Sequence, residues 1–294
     1  MFCCKRSSVH PIIYEHRPGP LLPASLDVHG EAKQSTFKID VPIATLKYNI
    51  LNEYETLQRM QKVQVFQLGT YQGKFSGSGR DSTNGCAVIS PLVAIHHLSN
   101  VGAASLPDSV IERVIDDVAP KLLVKVRRKL GLSGNALIIP SDVHDFLVDE
   151  KILKQEMFVG VCGGNIIDGD HLNEFIRLLE DGEDSPNGDE KKDTTKKIAA
   201  ALFFHEHVVS ILKVVLPDGT TWYDLVDSLP RNSSGQLGGT RTRCKDLGSF
   251  QALLQWYAIS KFSPADERYI DTNQWDDIMC NFDPRVFQAF VWKE

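Results

Sequence analysis

The stretch HEHVVSILKVVLPDGTTWYDLVDS, residues 205–228, decides how the chain folds. Two strand-like runs flank Leu216-Pro217-Asp218-Gly219-Thr220, a spacing that predicts a hairpin with a three-residue loop. Pro217 presets the turn, and Gly219 suits the left-handed position of a bulge. Closing the hairpin on residues 216 and 220 sets His207 opposite Leu229 and Asp227 opposite Val209. His207 and Asp227 then share one sheet face as diagonal neighbours, roughly 7 to 8 Å apart at the backbone and within side-chain reach. Asp224 falls opposite Leu212 on the other face, and His205 lies two positions further from Asp227. A slip of one residue would exchange the faces, so the assignment hangs on the loop.

Outward from the hairpin, the sequence is strongly β. IAAALFF (198–204) adds a strand before it, and RVFQAFVW predicts a last one near 285–292. GSFQALLQWYAIS predicts a helix near 248–260. The first half is mostly helical. Val110, Ile111, Val114, Ile115 and Val118 fall at three- and four-residue spacings. Pro120 divides that block, Leu122, Leu123, Val126 and Leu130 continue it, and Gly131 is a natural stop. Ser141 is the expected cap of a short helix carrying Val143, Phe146 and Leu147. A strand is expected near 157–162 and a helix near 169–180. Residues 37–47 alternate like a short strand, and 51–66 read as helical, then extended. Helices first and strands late is an α+β order, with an antiparallel sheet in the C-terminal half.

Composition narrows the function. The chain has 294 residues, 42% hydrophobic and 24% charged, with a net charge of −6. It has no long basic stripe, so a nucleic-acid partner is not expected. No apolar run approaches the roughly 18 to 20 residues that cross a bilayer. Residues 1–35, with four prolines and no periodicity, are expected to be a flexible arm ahead of one domain over 36–294. Cys3-Cys4 before Lys5-Arg6 fits either a palmitoylated, basic membrane tether or two chance thiols in a tail. Residues 181–196 contain no apolar side chain and are expected to be a mobile surface loop.

The cysteines stand at 3, 4, 86, 162, 244 and 280, with no CxxC. That spacing gives no zinc site, so neither a metal nor another cofactor is expected. Sparse cysteines and no secretory signal at the start suit a reducing interior, the cytoplasm first.

The chemistry lies in the order of parts. A loop rich in Gly, Ser and Asn (70–85) delivers Cys86 to the apolar run CAVISPLVAIHHL. His207 opens a strand later in the chain, and Asp227 ends the next one. A thiol nucleophile needs a base, and the base needs an orienting acceptor. A helix N-terminus would favour the thiolate. Pro91 bears on that: a helix from Cys86 would be kinked by it, whereas Ser90-Pro91 could be the cap and first residue of a helix starting later. The bland alternatives are a buried, unreactive Cys86 and an Asp227-Ser228 pair that simply ends a strand. His96, His97, Trp222, Trp256, Tyr257 and Trp292 read as structural.

NGCAVIS around Cys86, HEHVVSI around His207 and WYDLVDS around Asp227 resemble the papain-fold cysteine peptidases, in particular their deubiquitinase branches. The resemblance covers roughly residues 60–230. It implies a papain-like fold and a monomeric isopeptidase or peptidase. This enzyme would act on ubiquitin or a ubiquitin-like modifier through a thioester on Cys86, with His207 as base and Asp227 as its orienting partner. It also implies a glutamine that binds the oxyanion. Gln72 is the best match by position, and Gln67 and Asn84 are alternatives. Gly163 and Gly164 match a glycine pair that lines the peptide groove in papain relatives, where the missing side chains admit a substrate backbone. Two other functions use the same parts: a transglutaminase-like acyltransferase and a non-catalytic interaction module.

Overall fold

The computed structural model describes residues 41–100, 104–133, 136–180, 195–233, 235–272 and 283–294. The expected arm with Cys3 and Cys4, Cys280, and the charged stretch up to residue 194 lie outside the described residues. The described elements are α1 (Ile43–Arg59), β1 (Val63–Gln67), α2 (Cys86–Ser99), α3 (Asp108–Arg113), a π-helical turn (Val114–Val118), α4 (Ala119–Leu130), α5 (Pro140–Asp149), β2 (Phe158–Asn165), α6 (Gly169–Glu180), β3 (Lys196–Phe204), β4 (His207–Val215), β5 (Thr221–Ser233), β6 (Gln236–Cys244), α7 (Leu247–Lys261), α8 (Pro264–Thr272) and β7 (Val286–Lys293).

The described strands form one sheet in the order β1-β6-β5-β4-β3-β7-β2, every neighbouring pair antiparallel. Helices cover both faces, giving a mixed α+β architecture. On β4, Val209 and Ile211 join a core with α1, α6 and α7. Val208 and Leu212 join a second core with α2, α4 and α5. A strand buried on both faces is apolar at nearly every position, which is why IAAALFF reads as a continuous apolar run and HVVSILKVV is broken after His207 by just Ser210 and Lys213, each bonded to a neighbouring element.

The hairpin closes where its loop chemistry directs. Leu216 N donates to Thr220 O at 2.8 Å, Gly219 N donates to Leu216 O at 2.9 Å, and Gly219 has φ 83°. Ser210 therefore pairs with Val226, and Leu212 with Asp224. Gly131 ends α4 in the left-handed conformation.

Several elements depart from the sequence reading. Residues 43–47 are helical, not extended: Ile43, Leu46, Ile50, Tyr54 and Leu57 form one stripe of α1 that packs on the α7 side, and Tyr54 stacks on Trp256 at 4.1 Å between ring centroids. The partial alternation in 37–47 was local, whereas the helical stripe runs over four turns and decides. α5 begins at Pro140 after Ile139, so Ser141 is inside the helix rather than its cap. β1, β2 and α7, by contrast, lie where the sequence points to extended chain near 66, a strand near 157–162 and a helix near 248–260. β6 and α8 escaped the sequence reading, because the stretch QLGGTRTRC mixes glycine and charge where a strand signal needs apolar alternation.

α2 starts at Cys86 and runs through Pro91. Pro91 leaves the Ala87 carbonyl without its helical donor, and an interior proline costs roughly 3 kcal/mol. Val88, Ile89, Leu92 and Val93 are all buried, each worth roughly 2 kcal/mol. That burial outweighs the defect. Serines also stitch the helix to β4: Ser90 Oγ donates to Val208 O at 2.8 Å, and Ser210 Oγ donates to Ser90 O at 3.2 Å.

Candidate active site

Cys86 is the first residue of α2, after Gly85, and is 6% exposed. The stitching of Ser90 to Val208 sets this end of α2 beside the start of β4, whose first residue is His207. His207 follows a two-residue turn in which His205 (φ 53°) and Glu206 (φ 61°) are both left-handed. Two such residues match the primed turn that suits the twist of a hairpin, but neither is glycine, and each holds strain of roughly 1 kcal/mol or more. His205 Nε2 lies 3.2 Å from Asp266 Oδ2, so α8 braces the turn.

His207 Nε2 lies 2.8 Å from Asp227 Oδ1, with both side chains buried. The same Oδ1 accepts from Leu229 N at 2.9 Å. With Nε2 committed to Asp227, Nδ1 is the ring nitrogen left to serve the Cys86 thiol, which His207 influences directly. Burial pushes the Cys86 thiol up, but the hydrogen bond and charge of His207, aided by the Val208 and Ala87 amides, bring it below the ordinary value. Burial pushes His207 down, yet Asp227 and Cys86 together raise it to about 9. Burial raises Asp227, and the hydrogen bond and charge of His207, then Lys261 and the Leu229 amide, hold it well below the carboxylate range. Each shift favours the same charge state: thiolate, imidazolium, carboxylate.

Gln72 sits on a loop pinned from three sides. Gly69 N donates to Glu112 Oε1 at 2.6 Å, and Thr70 Oγ1 donates to Asp116 on the π-helical turn. Gly239 N donates to Thr70 O at 2.7 Å. A Cβ on Gly238 would lie 2.1 Å from the Leu68 carbonyl, so only glycine lets β6 and this loop cross. Gln72 N then donates to Ser228 O at 2.8 Å, next to Asp227. Ser228 Oγ donates to Gln72 Oε1 at 3.0 Å, which leaves Nε2 as the donor end of the carboxamide. Gln67 is committed elsewhere, its Nε2 donating to Arg231 O at 3.1 Å on β5. Asn84 is exposed, two residues before Cys86.

The structure does not bring Gly163 and Gly164 to the thiol. They lie on edge strand β2, where Gly164 is level with Phe287, Phe204 and His207 across successive strands. Three strand spacings put them about 14 Å from His207. The chain itself fills their missing side chains: a Cβ on Gly163 would lie 2.8 Å from the Phe287 carbonyl, and one on Gly164 2.7 Å from the His171 ring. Packing explains this glycine pair without a substrate.

Asp224 is buried on the opposite face and engaged by Arg241 and Arg243, with Arg243 Nε at 2.7 Å. Burial raises the other described thiols: Cys162 to about 12, helped by Glu174, and Cys244 further, helped by Asp224. Lys261 and Ser228 escaped the sequence reading, since each meets the site through a contact no local pattern encodes. Among the described residues, no group of three or more His, Cys, Asp and Glu is placed to hold a metal ion. No described helix is long and apolar enough to cross a membrane.

No protein-family model matches the chain, and no curated protein matches it. Among solved structures, it is similar to the ubiquitin-specific protease encoded by a murine cytomegalovirus tegument protein, in complex with a ubiquitin-based suicide substrate. The TM-score is 0.40 and the identity 9%, over 79% of this chain and 86% of that one. At that level of likeness, the reading of the site rests on its own geometry.

Proposed function

We propose that this chain is a cysteine-dependent isopeptidase or peptidase on a papain-like fold, removing ubiquitin or a ubiquitin-like modifier. The observation that carries the chemistry is the buried file of Cys86, His207 and Asp227, with His207 Nε2 2.8 Å from Asp227 Oδ1. The modifier class rests on the motif resemblance around those three residues.

The Cys86 thiolate attacks the carbonyl carbon of the scissile amide, and the carbonyl π electrons move to oxygen. The Cys86 amide and Gln72 Nε2 are the proposed oxyanion donors, each worth about 3 kcal/mol when preorganised. The His207 imidazolium gives its Nδ1 proton to the leaving amine, the C–N bond breaks, and a thioester remains. His207 then takes a proton from water, the hydroxide attacks the thioester, and the released carboxylic acid restores the thiolate–imidazolium pair. Asp227 keeps the Nε2 proton in place and stabilises the cation throughout.

The test is incubation with electrophilic probes built on a panel of ubiquitin-like proteins, followed by mass mapping. One probe is expected to modify Cys86. Labelling at another cysteine, or none from any probe, defeats the reading. Adding a primary amine to a cleavage assay separates hydrolysis, which yields the free acid, from acyl transfer, which yields the amide.

A further inference from the structure

Asp227 has two oxygens, and the site described so far uses one. Oδ1 takes His207 Nε2 and Leu229 N. Oδ2 faces Lys261 Nζ at 3.7 Å. Lys261 is the last residue of α7, one turn beyond Tyr257, and its ammonium lies 4.8 Å from the centre of the Tyr257 ring. Its side chain is only 21% exposed. Four groups face this ammonium and its Asp227 carboxylate: Arg231 from β5, Tyr257 from α7, Cys86 from α2, and His207 from β4 on the far side of Asp227. Arg231 repels the ammonium, and burial disfavours its charge. The nearby anions are Asp227 and, once ionised, the Cys86 thiolate. A lysine held there against a like charge is placed to act on a carboxylate.

We propose that Lys261 is a positioning residue of this site, holding the Asp227 carboxylate ionised and aligned so that the His207 imidazolium and the Cys86 thiolate form as a pair. The inference rests on the reading of these three residues as the active site. Charges then alternate along one line: ammonium, carboxylate, imidazolium, thiolate. Each neighbour in that series favours the charged state of the next, and the ammonium is its more exposed end. Removing it makes the carboxylate easier to protonate and also takes away direct attraction for the thiolate. Both effects move thiolate formation to higher pH.

The experiment is timed alkylation of the full chain by iodoacetamide from pH 4 to 9, with the Cys86 peptide quantified by mass spectrometry. Lys261→Met keeps an unbranched apolar stem and removes the charge, whereas Lys261→Arg keeps the charge. The acidic limb for Cys86 is expected to move up by about one pH unit in Lys261→Met, roughly a tenfold loss of rate on that limb, and to return toward the native position in Lys261→Arg. If Lys261→Met fails to melt cooperatively, Lys261→Gln carries the same comparison. An unmoved limb in a folded, uncharged variant overturns the inference, including when only its melting temperature falls, because a purely structural lysine would act that way. Failure of the underlying reading is visible in the native chain: Cys86 would then react no faster than Cys162 and Cys244, and the inference would fall with it.

Discussion

Two histidine–carboxylate pairs stand two residues apart in this chain, and they differ in everything but chemistry. His207 and Asp227 are 2.8 Å apart with side chains 7% and 3% exposed. His205 and Asp266 are 3.2 Å apart with side chains 28% and 12% exposed. The first pair is buried against a thiol, so the low-dielectric surroundings amplify every charge in it. The second braces a strained turn at the surface, where water screens it. A histidine with a carboxylate partner is therefore not by itself a candidate site. Burial and a third group in line distinguish the two.

That contrast can be broken most directly at the histidines. His207→Ala is expected to lower kcat/KM by about 10⁴-fold or more, as loss of a general base does, and His205→Ala to leave it within about threefold. Steady-state hydrolysis of the modifier identified by probe labelling measures both. Equal losses would mean that the outer pair belongs to the reaction.

The carboxylates give the next effect. Asp227→Asn should lower kcat/KM by about 10³- to 10⁴-fold, because an amide cannot stabilise the imidazolium. Asp266→Asn should change it little. Asp224 sharpens the test from the other sheet face: Asp224→Asn should leave turnover nearly intact yet destabilise the fold by about 2 kcal/mol, since half-buried Arg243 loses its carboxylate and buried Arg241 keeps only Asp108 as carboxylate partner. Denaturant unfolding beside turnover separates the two outcomes.

Stability against pH gives a smaller effect. His207 is raised to about 9 in the folded chain, so its contribution is fully present below the ordinary histidine value and is lost as pH rises through about 9. Asp227 works the other way, its contribution being present above the ordinary aspartate value and lost only as pH falls below it. Removing the thiol simplifies the titration. With Asp227 alone raising His207, the loss falls between the ordinary histidine value and about 9, and over that window the melting temperature of Cys86→Ala should fall more steeply than that of Cys86→Ala with His207→Gln. Parallel curves would show that Asp227 does not hold His207 as a cation. The smallest expected effect is at the turn. His205→Gly relieves left-handed strain but loses the Asp266 contact, so its net change in stability should stay within about 1 kcal/mol.

The sequence by itself determined what local chemistry can decide. Pro217 and Gly219 set the loop, the loop set the register, and the register placed His207 and Asp227 on one face with Asp224 on the other. Gly131 stopped its helix for a similarly local reason. Other features lay beyond local pattern. The start of α2 depended on whether burial could outweigh Pro91, and that requires knowing that β3, β4, α4 and α5 surround it. Gly163 and Gly164 looked like a groove until Phe287 and His171 were found in the space. Gly238, in an unrecognised strand, proved to be the point where the Gln72 loop crosses. Lys261 meets Asp227 across 34 positions of chain, because the end of α7 passes β5. Turn and strand periodicity reports on neighbours a few residues away, whereas burial and charge depend on whatever the rest of the chain brings alongside, and only the tertiary structure decides that.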